Sequence, residues 1–89
     1  MTRLIIDVRT PAEYAARHVD GALNIDLRTA AFGGMLQEYP KDAEYLVYCG
    51  GGRRAGTARL RMQQAGFTDV TSYGILGASA VSGNPLVGE

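Results

Sequence analysis

Leu46-Val47-Tyr48-Cys49-Gly50-Gly51-Gly52-Arg53-Arg54-Ala55-Gly56 decides the reading of this chain. An apolar run, Tyr45 to Tyr48, has the character of a buried strand and ends on the chain's single cysteine. Three glycines and two arginines follow. From Arg54 to Ala65 the pattern is helical, with Ala55, Ala58, Met62 and Ala65 on one stripe and Gly66 at the C-cap; Leu60 falls off the stripe. A strand, a Gly-rich turn and a helix N-terminus bring backbone N–H groups and a positive field around one sulfur. Such surroundings favour a thiolate and hold an anion beside it.

Working outward toward the N-terminus, Leu4-Ile5-Ile6-Asp7-Val8 is apolar on both faces, as in a buried parallel strand. Thr10-Pro11-Ala12-Glu13 supplies an N-cap, a proline at the first helical position and a glutamate at the third, which predicts a short helix to about Arg17. His18-Val19-Asp20-Gly21 turns the chain, and Ala22 to Ile25 adds a short strand. Asp26 is expected to cap a further helical piece, broken at Gly33-Gly34 and resumed through Met35 to Tyr39. Toward the C-terminus, Val70 to Tyr73 reads as a third core strand and Ile75 to Val81 as a last short helix. Residues 82–89 read as a loose tail. Strands alternating with helices predict a small α/β domain, a parallel sheet of four or five strands with helices on both faces. Ligands in such sheets bind beyond the C-terminal strand ends. Cys49, Asp7 and Arg9 fall on that edge.

Bulk properties narrow the function classes. The 89 residues make one domain with a modest core, 46% hydrophobic and 20% charged. Lys+Arg and Asp+Glu number 9 each, so no global field favours nucleic acid or a membrane surface. One cysteine cannot form an internal disulfide, and one cysteine with one histidine cannot build a zinc site. No metal and no cofactor are expected. No apolar stretch is long enough to span a bilayer, and no secretory core precedes the first strand. A cytoplasmic location is expected, although a periplasmic chain whose leader had been removed would look the same. A monomer is expected.

Two separated blocks resemble the rhodanese family of single-domain thiosulfate sulfurtransferases, and in particular its short, phage-shock type. The first is Leu4 to Tyr14 followed by Arg17 to Ile25, similar to that family's opening strand, Asp-x-Arg, capped helix and His-x-x-Gly-Ala turn. The second is Tyr48-Cys49 through Ala55, similar to the six-residue loop around its catalytic cysteine. Departures are visible: Arg17 and Asp20 stand where Gly and Pro are common, and Gly74-Ile75 replaces a Gly-Gly pair. Ala55 replaces a frequent Ser or Thr, removing a hydroxyl that could donate to bound sulfur.

The resemblance implies a rhodanese-like three-layer fold and a double displacement. Cys49 attacks the outer sulfur of thiosulfate and expels sulfite. The resulting persulfide passes its sulfur to cyanide, a small thiol or a protein thiol. The N–H groups of Gly50, Gly51, Gly52, Arg53, Arg54 and Ala55 would aim at the transferred sulfur, whose charge has no other counter-ion. Two arginines at a helix N-terminus oppose its dipole, which an anion held there would explain; the sulfonate end of the donor is the expected partner. Arg53 matches the loop arginine of the short type. Asp7 and Arg9 are expected to brace the fold, with Arg9 able to pair with Glu13. His18 shapes its turn; sulfite leaves without protonation, so no general base is required.

Two alternatives stand beside this reading. A persulfide carrier, loaded by a partner protein, would use the same loop. Cysteine phosphatases and arsenate reductases also cradle an anion beside a thiolate, but they need an arginine after five intervening residues. Counting from Cys49, that position is Ala55.

Overall fold

The computed structural model describes residues 3–88. At its centre β1 (Arg3–Asp7) and β4 (Glu44–Cys49) run parallel, with Ile5 opposite Leu46 and Asp7 opposite Tyr48. The short β3 (Leu23–Asn24) flanks β1, and β5 (Val70–Gly74) flanks β4, giving a four-stranded, all-parallel sheet in the order β3-β1-β4-β5. The period-two alternation of a strand sends Ile6, Tyr45, Val47 and Cys49 to one face, and Ile5, Leu46 and Tyr48 to the other. A strand apolar on both faces needs a cover on each, and helices supply both.

On the first face α2 (Ala30–Glu38) contributes Phe32 and Met35, and α3 (Arg53–Gln64) contributes Ala55, Ala58 and Met62. The two alanines let α3 approach the sheet closely, so its N-terminal turn sits against the end of β4. On the second face α4 (Ile75–Ser82) buries Ile75 and Ala78 beside Leu46 and Tyr48. There α1 (Pro11–Ala16) adds the half-buried Tyr14. Phe32 and Leu46 are fully enclosed, and each such burial contributes roughly 1.5–3 kcal/mol.

Three local expectations need correction. The helix expected to break at Gly33-Gly34 runs through both glycines; a Cβ at either would meet open space, and Phe32 and Met35 anchor the buried side. Packing there offsets the roughly 1 kcal/mol per glycine that helix formation costs. Asp26 is not that helix's cap: its Oδ1 accepts from the Arg28 N–H in the preceding turn, and Thr29 occupies the cap position. Residues 82–89 were expected to be loose, but β6 (Leu86–Val87) pairs antiparallel with β2 (His18–Val19). The Asn84 side chain also donates to the Asp20 carbonyl, and Leu86 packs on the second-face core. Glu89 lies outside the described residues.

Candidate active site

The site forms where β4 stops and α3 starts. Gly52, at the N-cap of α3, takes φ 108°, a left-handed conformation that a side chain would strain. That turn swings the chain back over Cys49. The Gly52 N–H donates to Cys49 Sγ at 2.9 Å, and the Ala55 N–H donates at 3.4 Å. Both are among the first N–H groups of α3, which have no partner inside the helix. Cys49 is 1% exposed, so the sulfur lies at the floor of the loop beneath the exposed Gly50 and Gly51. Among the three loop glycines only Gly52 needs its positive φ. At Gly51 a Cβ would meet nothing within 4 Å.

The junction of β5 and α4 buttresses the loop. The Ile75 N–H donates to the Gly50 carbonyl at 3.3 Å. A Cβ on Gly74 would sit 3.0 Å from the Gly50 carbonyl oxygen, so this glycine is favoured by close approach of the loop backbone, not by φ. In the sequence Gly74 stands out only as half of an unusual pair. Its packing role depends on a contact between segments far apart in the chain.

The two loop arginines part company. Arg53 is exposed and enters no ion pair among the described residues. Arg54 makes a bidentate pair with Glu13, Nη1 to Oε1 at 2.8 Å and Nη2 to Oε2 at 3.0 Å. Its Nη2 also lies 3.7 Å from where a Gly50 Cβ would sit, so the guanidinium borders the loop. Glu13 simultaneously completes the capping box of α1, its Oε1 accepting from the Thr10 N–H at 3.2 Å. Arg54 holds the Glu13 carboxyl down at about 2, with the Thr10 hydrogen bonds adding to the effect against partial burial. Glu13 in turn raises the Arg54 guanidinium, and Cys49 is close enough to contribute.

The expected Arg9–Glu13 pair is therefore corrected, because each residue has a nearer partner. Arg9 folds back on Asp7, donating from its backbone N–H at 2.9 Å, from Nε at 3.0 and 3.2 Å and from Nη2 at 2.8 Å. Nη2 reaches the Arg17 carbonyl as well. Both residues are buried, and the Asp7 hydrogen bonds raise the Arg9 guanidinium despite desolvation. His18 Nδ1 lies 2.8 Å from the Tyr14 carbonyl oxygen, an acceptor, which places the proton on Nδ1. Its ring stacks on Tyr14 at 3.8 Å. Tyr48, read only as a core residue, accepts the Val19 N–H on its hydroxyl at 2.9 Å and so ties β2 to the sheet. Burial pushes that hydroxyl's pKa up.

A strand-borne thiol under helix N–H groups, in an all-parallel sheet of this order, can be compared with known proteins. The family described as the Rhodanese-like domain matches residues 1–75. The chain belongs to the rhodanese family. Thiosulfate sulfurtransferase PspE of Escherichia coli (strain K12) is 36% identical to this rhodanese over 69 residues, 78% of the chain and 66% of PspE. The chain thus spans just under two thirds of that relative's length. A sulfurtransferase of Allochromatium vinosum is 34% identical over 86 residues, covering 94% of the chain and 78% of the relative. Among solved structures, "rhodanese with anions from E. coli" superposes with a TM-score of 0.81 at 30% identity, covering 99% of this chain and all of that one.

Proposed function

We propose that this rhodanese is a thiosulfate sulfurtransferase that works through a persulfide on Cys49. The observation that carries the reading is the convergence of the Gly52 and Ala55 N–H groups on one sulfur. Main-chain donors fixed by a turn and a helix need no reorganisation when negative charge arrives. The naming of PspE as a thiosulfate sulfurtransferase supports the same chemistry. In the first step the Cys49 thiolate attacks the outer sulfur of thiosulfate. A new S–S bond forms, the bond from that sulfur to the sulfonate breaks, and sulfite leaves with the bonding pair. The persulfide's terminal sulfur carries the negative charge. In the second step an acceptor such as cyanide or a thiolate attacks that sulfur, and Cys49 departs as thiolate. No proton transfer is needed in either step, which leaves His18 outside the chemistry.

Arg53 is assigned to the sulfonate end of the donor, being the loop guanidinium outside an ion pair. Gly50, Gly51 and Arg54 line or border the loop, and Asp7, Arg9 and His18 hold the neighbouring strand ends. Residues 1–89 act as one domain in this reading. The commitment of Arg54 to Glu13 favours one second reading, because a single arginine is a sparse site for a free dianion. The chain would then be a carrier loaded by another protein's persulfide.

Thiocyanate formation from thiosulfate and cyanide, measured for wild type and Cys49→Ser, tests the proposal. Saturable turnover in the first and background in the second is expected. Turnover from a small persulfide donor with none from thiosulfate would replace the enzyme reading by the carrier reading.

A further inference from the structure

The first turn of α3 has its charge inverted. Arg53 and Arg54 open the helix and no acidic residue accompanies them, although the dipole favours negative charge there. The missing acid comes from another helix. Glu13 of α1 takes the Arg54 fork at 2.8 and 3.0 Å. Thr10 fixes that carboxylate from its other side, its backbone N–H and its hydroxyl donating to Oε1 at 3.2 and 3.1 Å. The Glu13 N–H donates in turn to the Thr10 hydroxyl oxygen at 3.3 Å. A carboxylate anchored this way does not travel with the guanidinium.

The pair stands at the loop. Arg54 Nη2 lies 3.7 Å from where a Gly50 Cβ would sit, and Cys49 is close enough to help raise the guanidinium. A planar guanidinium fork is the side chain best matched to an oxyanion, and here it is spent on a carboxylate of the same chain. An anion arriving over the loop meets the free Arg53, but it must displace two charge-assisted hydrogen bonds to gain Arg54. The competitor is always charged near neutral pH, because the Glu13 carboxyl is held down at about 2.

We propose that Glu13 sets the anion selectivity of the loop by withholding the Arg54 fork, which keeps inert tetrahedral dianions such as sulfate from occupying the site. The inference rests on the persulfide reading above and adds to it a specificity-determining residue that acts through Arg54. Sulfate and thiosulfate match in charge and nearly in size, so static contacts separate them poorly. Only thiosulfate can form an S–S bond to Cys49 Sγ, its own S–S bond breaking as sulfite leaves with the electron pair. Loose holding of both dianions therefore leaves the donor its covalent capture and denies the inert ion a tight site. Selection works against the competitor, not for the substrate.

The test titrates inorganic sulfate into isotope-labelled wild type and Glu13→Gln at constant ionic strength and follows the Gly52 and Ala55 amide shifts, a readout that needs no turnover. Glutamine is itself a capping-box residue and keeps an oxygen for the Thr10 N–H, so the fold is retained while the charge pair is lost. Sulfate is expected to bind Glu13→Gln about fivefold or more tighter than wild type. The KM for thiosulfate should fall by a similar factor with kcat within about twofold. In an Arg54→Gln background the gain from Glu13→Gln should shrink below about twofold. Equal or weaker sulfate binding by Glu13→Gln, the result for a merely structural counter-charge, would overturn the proposal. A full gain that survives without Arg54 would make Glu13 a simple repelling charge and overturn it as well. If Glu13→Gln loses its folded amide spectrum, Glu13→Asp carries the same expectation, keeping the acid in the first turn of α1 but shortening its reach to Arg54. If thiosulfate does not load Cys49, the persulfide reading fails alone, and the sulfate titration still decides the role of Glu13.

Discussion

The ends of β1 and β4 lie side by side in the sheet and handle charge in opposite ways. At the end of β1, Asp7 and Arg9 saturate one another through four hydrogen bonds. The Asn24 side chain donates to the carbonyls of both residues. Asp7 and Arg9 are buried and their charges matched, which leaves the cluster little capacity for a ligand. At the end of β4, two N–H groups of a helix converge on the Cys49 sulfur, and the exposed Arg53, outside any ion pair among the described residues, stands beside the loop. Donors exceed acceptors. The same edge of one sheet thus holds a saturated polar brace and, beneath the loop, a buried sulfur faced by helix N–H groups, and the proposed chemistry uses only the second.

The strongest challenge to this contrast is Asp7→Asn. It keeps the shape of the brace but leaves the Arg9 charge buried without its counter-ion, a loss of about 3 kcal/mol. Thermal unfolding should fall by roughly 10 °C or more, while sulfur transfer per folded molecule stays within about twofold. A folded, stable variant with lost turnover would move Asp7 from the brace into the Cys49 site.

Arg53→Ala acts on the other side. Removing the free guanidinium should raise the KM for thiosulfate about tenfold, near 1.4 kcal/mol, with kcat little altered and stability unchanged. An unaltered KM would take Arg53 out of the donor site.

Glu13→Gln probes the link between the two ends with the smallest effect. The pair is more than a third exposed on its carboxylate side, so solvent screening limits its contribution to about 0.5–1 kcal/mol. The folded-state value of about 2 lies below the ordinary 4.5, so this stability is fully present above about pH 4.5 and disappears as pH falls through 2. Denaturation of wild type and variant should differ at pH 7 and converge near pH 2. A gap that persists in acid would assign the effect to the helix cap instead.

How far the sequence carried these assignments follows from the range of the interactions. The unbroken apolar runs of β1 and β4, the Thr10–Glu13 capping box and the alanine stripe of α3 are local patterns, and each element formed where its pattern lay. Cys49 could be singled out because strand, turn and helix follow one another directly. Glu13 could be recognised as a capping residue but not as the partner of Arg54, 41 positions away. The docking of β6 on β2 rests on two residue pairs drawn from opposite ends of the chain, with no periodicity to announce it. The glycines of α2 misled because tertiary burial of Phe32 and Met35 outweighed their weak helix preference.

Intact-mass measurement of wild type and Cys49→Ser after brief exposure to thiosulfate addresses the Cys49 site directly. The account predicts that wild type gains the mass of one sulfur atom, lost again on adding cyanide, and that the variant gains nothing. Wild type emerging at its original mass, or the variant acquiring sulfur equally, would contradict it.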